Sequence, residues 1–175
     1  MAFAVRRLGT DDVDQFRRIR LEALANVPEA FGSSYNETVL RSTDYFTALL
    51  TNNAVFGAEQ PDGTLAGIVG FHRLEGEKLD HRGEVFSMYV AEDLRGTGCA
   101  QALIEAVVAH ASPLVRQLHL GVGTFNDRAR KLYEKMGFET YATEPRAMRV
   151  GDRYIDEYVM VRFLDEAPGK KQDNE

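Results

Sequence analysis

Cysteine is almost missing from this chain: Cys99 is the only one in 175 residues. A single thiol cannot close an intrachain disulfide, so the fold needs no oxidising compartment. No apolar run approaches the ~18 residues that a membrane span requires. The opening Met-Ala-Phe-Ala-Val-Arg-Arg passes straight into polar sequence, without the apolar stretch of a secretory signal. A cytoplasmic protein is therefore expected. Basic charge is also in deficit, with 21 Lys and Arg against 27 Asp and Glu, a formal net charge of −6. That balance argues against a nucleic-acid partner, which wants a basic stripe, and suits a cationic acceptor such as an amine. His72, His81, His110 and His119 show no ligand spacing, and no His-Glu-x-x-His or Cys–His cluster occurs. No metal is expected.

What remains is ordinary globular sequence, 44% hydrophobic and 27% charged, of a length that suits one domain. The expected domain spans 1–164, and the polar stretch 165–175 reads as a frayed tail. Strands are expected at 3–8, 54–59, 65–74, 84–90, 116–122, 138–150 and 153–164, the last two turned at Gly151-Asp152. Helices are expected from Thr10-Asp11-Asp12 onward, over 42–50, over 98–111 with Leu103, Ile104, Val107, Val108 and Ala111 inward, and after Asn126. The order β-α-α-β-β-β-α-β-α-β-β gives an α/β fold, a mixed sheet with helices on both sides.

Val90-Ala-Glu-Asp-Leu-Arg-Gly-Thr-Gly-Cys-Ala-Gln-Ala-Leu-Ile104 carries the most chemistry. It reads as a strand end, a tight turn with Arg95, Gly96, Thr97 and Gly98, and a helix beginning near Cys99 and Ala100. Unpaired N–H groups and the positive end of the macrodipole make such a helix start attractive to anions. The glycines admit close approach of the main chain, and Arg95 adds a fork of donors. This is a phosphate cradle, and the implied ligand carries a pyrophosphate. It is not a Walker loop, which needs Gly-Lys-Ser/Thr, nor a dinucleotide fingerprint, since Gln101 stands where the third glycine belongs.

Arg95-x-x-Gly98-x-Ala100 after a strand resembles motif A of the GNAT superfamily of N-acetyltransferases. About thirty residues on, Asn126-Asp-Arg-Ala-Arg-Lys-Leu-Tyr-Glu-Lys-Met-Gly-Phe138 resembles its motif B. Read by itself, that run is a helix with Asn126 as N-cap, Gly137 past its end, and Ala129, Leu132, Tyr133 and Met136 on one face. The resemblance implies the GNAT fold: a seven-stranded, mostly antiparallel sheet, about four helices on both faces, splayed between strands 4 and 5. It implies acetyl-CoA as cosubstrate, its pantetheine arm beside Met88 and Val90 and its pyrophosphate on residues 95–100, with Asn126 also in reach. It implies Tyr133 as the acid that protonates the departing thiolate. Glu84 is the candidate base for the amine, which attacks directly in a ternary complex. A bulge in the fourth strand would change the face that Glu84 occupies.

Cys99 invites an acyl-cysteine alternative, but it lies at the pyrophosphate end and reads as small apolar packing. The acceptor side is expected from residues 26–44 and 141–158. In and next to these stretches Glu29, Glu37, Asp44, Asp156 and Glu157 offer carboxylates, and Phe31, Tyr35, Tyr45, Tyr141 and Tyr154 offer aromatic walls. A small-molecule amine, a peptide N-terminus and a lysine all fit, and the chain is expected as a monomer or homodimer. The alternatives are a non-catalytic acyl-CoA-binding regulatory module and a plain structural domain.

Overall fold

A computed structural model describes residues 2–165. Of the expected tail at 165–175, residues 166–175 lie outside the described residues. Seven strands form one sheet: β1 (Ala4–Arg7), β2 (Ala54–Glu59), β3 (Leu65–Arg73), β4 (Arg82–Val90), β5 (Gln117–Gly123), β6 (Glu139–Val150) and β7 (Arg153–Phe163). Their spatial order is β1-β2-β3-β4-β5-β7-β6, and every adjacent pair is antiparallel except β4 with β5. The expected GNAT topology is thus present. The helices are α1 (Val13–Asn26), α2 (Tyr35–Thr38), α3 (Thr43–Asn52), α4 (Cys99–Ala111) and α5 (Asp127–Lys135). The one-turn α2 raises the count among the described residues from about four to five.

Alternation along the strands sorts side chains into two cores. On one face, α4 lays Cys99, Leu103, Ile104, Val107 and Ala111 over Phe56, Val69, Phe71, Leu118 and Met160. Burying each large aliphatic side chain here contributes about 1.5–3 kcal/mol. α4 comes so close to β3 that a Cβ on Gly67 would lie 3.0 Å from Leu103 Cδ1 and 3.2 Å from Cys99 Sγ. On the other face, α1 and α3 pack Phe16, Ile19, Phe46 and Leu50 over Val55, Leu65, Ile68 and Tyr89.

Local chemistry fixes the ends of these elements. α1 starts within the expected Thr10–Asp12 cap, with Asp12 in the N-cap position, but the Asp12 side chain makes no cap bond to the helix. Those residues form a 3-10 turn, and the Asp12 carboxylate accepts from Gly9 N–H at 2.8 Å and from Arg6 at 2.7 and 2.9 Å. Asn126 caps α5, its Oδ1 accepting from Ala129 N–H at 3.1 Å. Gly137 follows α5 with φ +83° and Gly151 turns the last hairpin with φ +60°, both left-handed conformations that favour glycine.

Candidate functional site

The sheet opens at its middle. β4 and β5 pair only through Arg82–Gln117, Gly83–Leu118 and Glu84–His119. Beyond that vertex, residues 85–90 of β4 have no partner on the β5 side, while 120–123 of β5 pair away from it with β7. The result is a splay with one free main-chain edge, where a ligand carrying amides can bond as an added strand does. A bulge shapes that edge. Ile68 pairs with Tyr89 but Gly70 with Phe86, and Ser87 at φ +56° absorbs the extra residue. Glu84 and Phe86 therefore share the α1 face with Tyr89, whereas Val85, Met88 and Val90 turn to the α4 face. Period-two spacing would have put Glu84 and Met88 on one face, and the bulge separates them.

At the open end of β4, the chain bonds once more to β3 through Ala91 N–H and Ala66 C=O (2.8 Å) and then turns. Leu94 is fully buried and anchors the 3-10 turn Glu92–Leu94. Thr97 donates its hydroxyl to Leu94 C=O at 2.7 Å. Gly96 and Gly98 have φ of +84° and +89°, and the first main-chain bond of α4 runs from Ala102 N–H to Gly98 C=O. The N–H groups of Cys99, Ala100 and Gln101 in the first helical turn are left to an external acceptor. A Cβ added to Gly98 would meet nothing within 4 Å, so the space above the cradle is open. These features fit an anionic group such as a phosphate.

Arg95 is exposed and its Nε donates to Val90 C=O at 3.1 Å, folding the guanidinium back over the strand end. A second cation stands across the turn: Arg128 Nη2 lies 4.0 Å from the Cβ position of Gly96. Sequence reasoning missed Arg128, because within motif B it reads as one more exposed helix residue.

Tyr133 comes from the inner face of α5 and is 6% exposed. Its ring packs edge-on against Phe138, centroids 5.9 Å apart. Its hydroxyl has no hydrogen-bond partner among the described residues. Burial pushes the phenol above its ordinary value, so it stays protonated through the neutral range. Cys99 is buried, and burial followed by Asp93 pushes its thiol up to about 11. That is the opposite of what a thiolate nucleophile needs.

The α1 face of the splay holds the titratable groups. Register aligns His72, Glu84 and His119 across β3, β4 and β5. His72 Nε2 lies 3.4 Å from Glu84 Oε2. His119 is 8% exposed. Burial, with Arg82 second, lowers its pKa, and Glu84 partly opposes the shift. Its Nε2 lies 2.7 Å from Gln117 Nε2, so a neutral ring accepts there, and Nδ1 faces the Tyr141 hydroxyl at 3.5 Å.

Several expected acceptor-side groups are engaged within the chain. Glu29 pairs with Arg153 at 2.6 Å, Glu37 accepts from the Ser34 hydroxyl at 3.1 Å, and Asp156 accepts from Arg146 N–H at 2.7 Å. Guanidinium groups of Arg20, Arg41 and Arg146 lie over Phe31, Tyr45 and Tyr154 at 5.0, 5.3 and 4.9 Å. Glu157 is different. It is half-buried on β7, and burial and then the neighbouring Glu144 raise its pKa. No group of three or more metal-ligating side chains occurs among the described residues, and no helix there is long and apolar enough to cross a membrane.

Comparison with known proteins agrees with this fold. Residues 18–138 match the Acetyltransferase (GNAT) family. An uncharacterised N-acetyltransferase of Mycobacterium tuberculosis is 37% identical over 99 residues, which cover 55% of this chain and 61% of that protein. The chain thus spans about three fifths of that relative's length. An uncharacterised N-acetyltransferase of Archaeoglobus fulgidus is 31% identical over 138 residues, 74% of this chain and 88% of that protein. Among solved structures, YncA of Salmonella typhimurium, determined with its cofactor acetyl-CoA, superposes with a TM-score of 0.82 at 19% identity. That match covers 98% of this chain and 99% of YncA.

Proposed function

Because this chain belongs to the GNAT acetyltransferase family, we propose that it transfers the acetyl group of acetyl-CoA to a primary amine, by direct attack in a ternary complex, in the cytoplasm. The observation that carries this reading is the splay. Its free edge, residues 85–90, runs from the vertex at Glu84 to the cradle at 95–100.

In this reading the N–H groups of Cys99, Ala100 and Gln101 hold the diphosphate, with Gly96, Thr97 and Gly98 letting it approach and Arg95 and Arg128 adding positive charge. Main-chain groups at Met88 and Val90 bond the pantetheine amides. An N–H near Met88 polarises the thioester carbonyl as charge builds on its oxygen. Asn126 fixes the start of α5 and lies within reach of the cofactor. Tyr133, held protonated by burial, gives its proton to the departing sulfur. An acceptor-face carboxylate takes the proton of the amine. Glu84 at the vertex and Glu157 near the mouth are the two placed for this. Acceptor classes consistent with carboxylates at this face are small amines, peptide N-termini and lysine side chains.

Two measurements test the reading. Calorimetry with acetyl-CoA is expected to give saturable binding, and its absence at millimolar cofactor removes the proposal. Thiol release from acetyl-CoA across a panel of amino acids, diamines, amino sugars and short peptides is expected to find an acceptor. Binding without turnover of any amine would instead leave an acyl-CoA-binding regulatory module.

A further inference from the structure

On the acceptor face, one carboxylate stands over a position where the strand beneath has no side chain. Gly121 of β5 lies beyond the last β4–β5 pair, so it borders the open part of the splay. A Cβ on Gly121 would lie 2.9 Å from Oε2 of Glu157. β7 thus fills, with a carboxylate, a space that β5 leaves vacant. The register sets its direction: Glu157 pairs with Gly123, and β5 turns its even residues, Leu118, Leu120 and Val122, into the α4 core. Glu157 therefore faces the same side as His119 and Glu84. Its carboxylate has no cationic partner among the described residues, whereas Glu84 sits at the closed vertex beside His72.

We propose that Glu157 is the general base of the acetyl transfer, accepting the proton of the acceptor ammonium at the mouth of the splay. This rests on the transferase reading above. Half-burial and Glu144, its cross-strand neighbour on β6, hold the carboxyl above its ordinary value, closer to neutrality, where a base works best. The other ionisable groups on this side are His119 of β5 with Tyr141 of β6 beside it, Glu84 of β4 with His72 of β3 beside it, and Glu29, which sits on the 28–30 turn packed against β5 and β6 and is tied to Arg153 of β7.

The proton accounting closes. Glu157 takes one proton from the ammonium, freeing the lone pair, and later releases it to solvent. Nitrogen forms its bond to the acetyl carbon as the carbon–sulfur bond breaks, and Tyr133 protonates the sulfur. The second nitrogen proton then restores the phenol.

The test uses whichever amine of the panel above wild-type protein acetylates fastest. kcat/KM is followed against pH for wild type, Glu157→Gln, Glu84→Gln and Glu144→Gln. Acetyl-CoA affinity by calorimetry and thermal melting accompany each variant. Glu157→Gln should lower kcat/KM about 100-fold or more and abolish the acidic limb of the profile, with acetyl-CoA affinity within twofold of wild type. Glu144→Gln should keep its neutral-pH rate and move the acidic limb to lower pH, because a like charge has left the base. The proposal is overturned if Glu157→Gln keeps kcat/KM within threefold, or if Glu84→Gln alone removes the acidic limb. It also falls if the Glu144→Gln limb does not move. Failure of wild type to acetylate any amine defeats the transferase reading itself, and this proposal with it.

Discussion

Gly98 separates backbone strain from charge at the cradle. Its φ is +89°, and no atom lies within 4 Å of its Cβ position. Gly98→Ala therefore introduces no clash, and its cost is the left-handed conformation, about 1–2 kcal/mol. For a chain of this size each kcal/mol lowers Tm by about 2–4 °C. Gly98→Asp carries similar strain, but its carboxylate can satisfy N–H groups at the start of α4, and Asp tolerates the left-handed region better. The Asp variant should therefore melt at or above the Ala variant. Ligand binding should order them the other way. A carboxylate ~5 Å from one phosphate charge is repelled by about 3 kcal/mol at an effective dielectric of 20 and by under 1 kcal/mol in bulk water. Taking about 1–3 kcal/mol, acetyl-CoA should bind Gly98→Asp about 5–150-fold more weakly than Gly98→Ala. Calorimetry gives both constants and thermal melting gives both stabilities. Equal Kd values for the two variants would refute an anion at this turn.

Other expectations follow from the same site. Tyr133→Phe removes a hydroxyl with no hydrogen-bond partner among the described residues, so Tm should hold within a few degrees while kcat falls about 10²-fold and KM for acetyl-CoA changes little; an unchanged kcat, with chemistry limiting, rejects the acid role. Cys99→Ala should retain activity, and iodoacetamide should label native protein far more slowly than unfolded chain; rapid loss of activity on alkylation of folded protein contradicts a buried thiol held near 11. His119 carries a depressed pKa in the folded state, so the unfolded chain binds more protons between that value and about 6.5. Stability contributed at higher pH is therefore lost as pH falls through that window, and His110 acts in the same sense. His119→Asn should narrow the Tm difference between pH 8 and pH 5, and an unaltered difference shows that the ring is not the group titrating.

The sequence made most elements legible because their signals were local. Asn126, Gly137 and the apolar face between them mark both ends of α5, and the Gly151-Asp152 turn lies between the strands as expected. The glycine turn before α4 was legible for the same reason: Gly96, Gly98 and the start of the helix lie within a few residues. What escaped depends on partners distant in sequence. The bulge at Ser87 arises from the β3–β4 register, and no feature of Phe86-Ser-Met88 announces it. The engagement of Phe31, Tyr45 and Tyr154 by the chain's own arginines could not be seen from composition. The approach of Arg128 to the turn and the seat of Glu157 over Gly121 both require the sheet to be assembled.

The three residue pairs between β4 and β5 also have a mechanical side. They are a short seam between two leaves, β1–β4 and β5–β7, and main-chain bonding across the sheet stops where the seam ends. A molecule laid along residues 85–90 would act as the missing stitch. Amide hydrogens on that free edge should exchange with deuterium quickly in the empty protein and slowly once it is loaded, while those bonded across to β3 change far less.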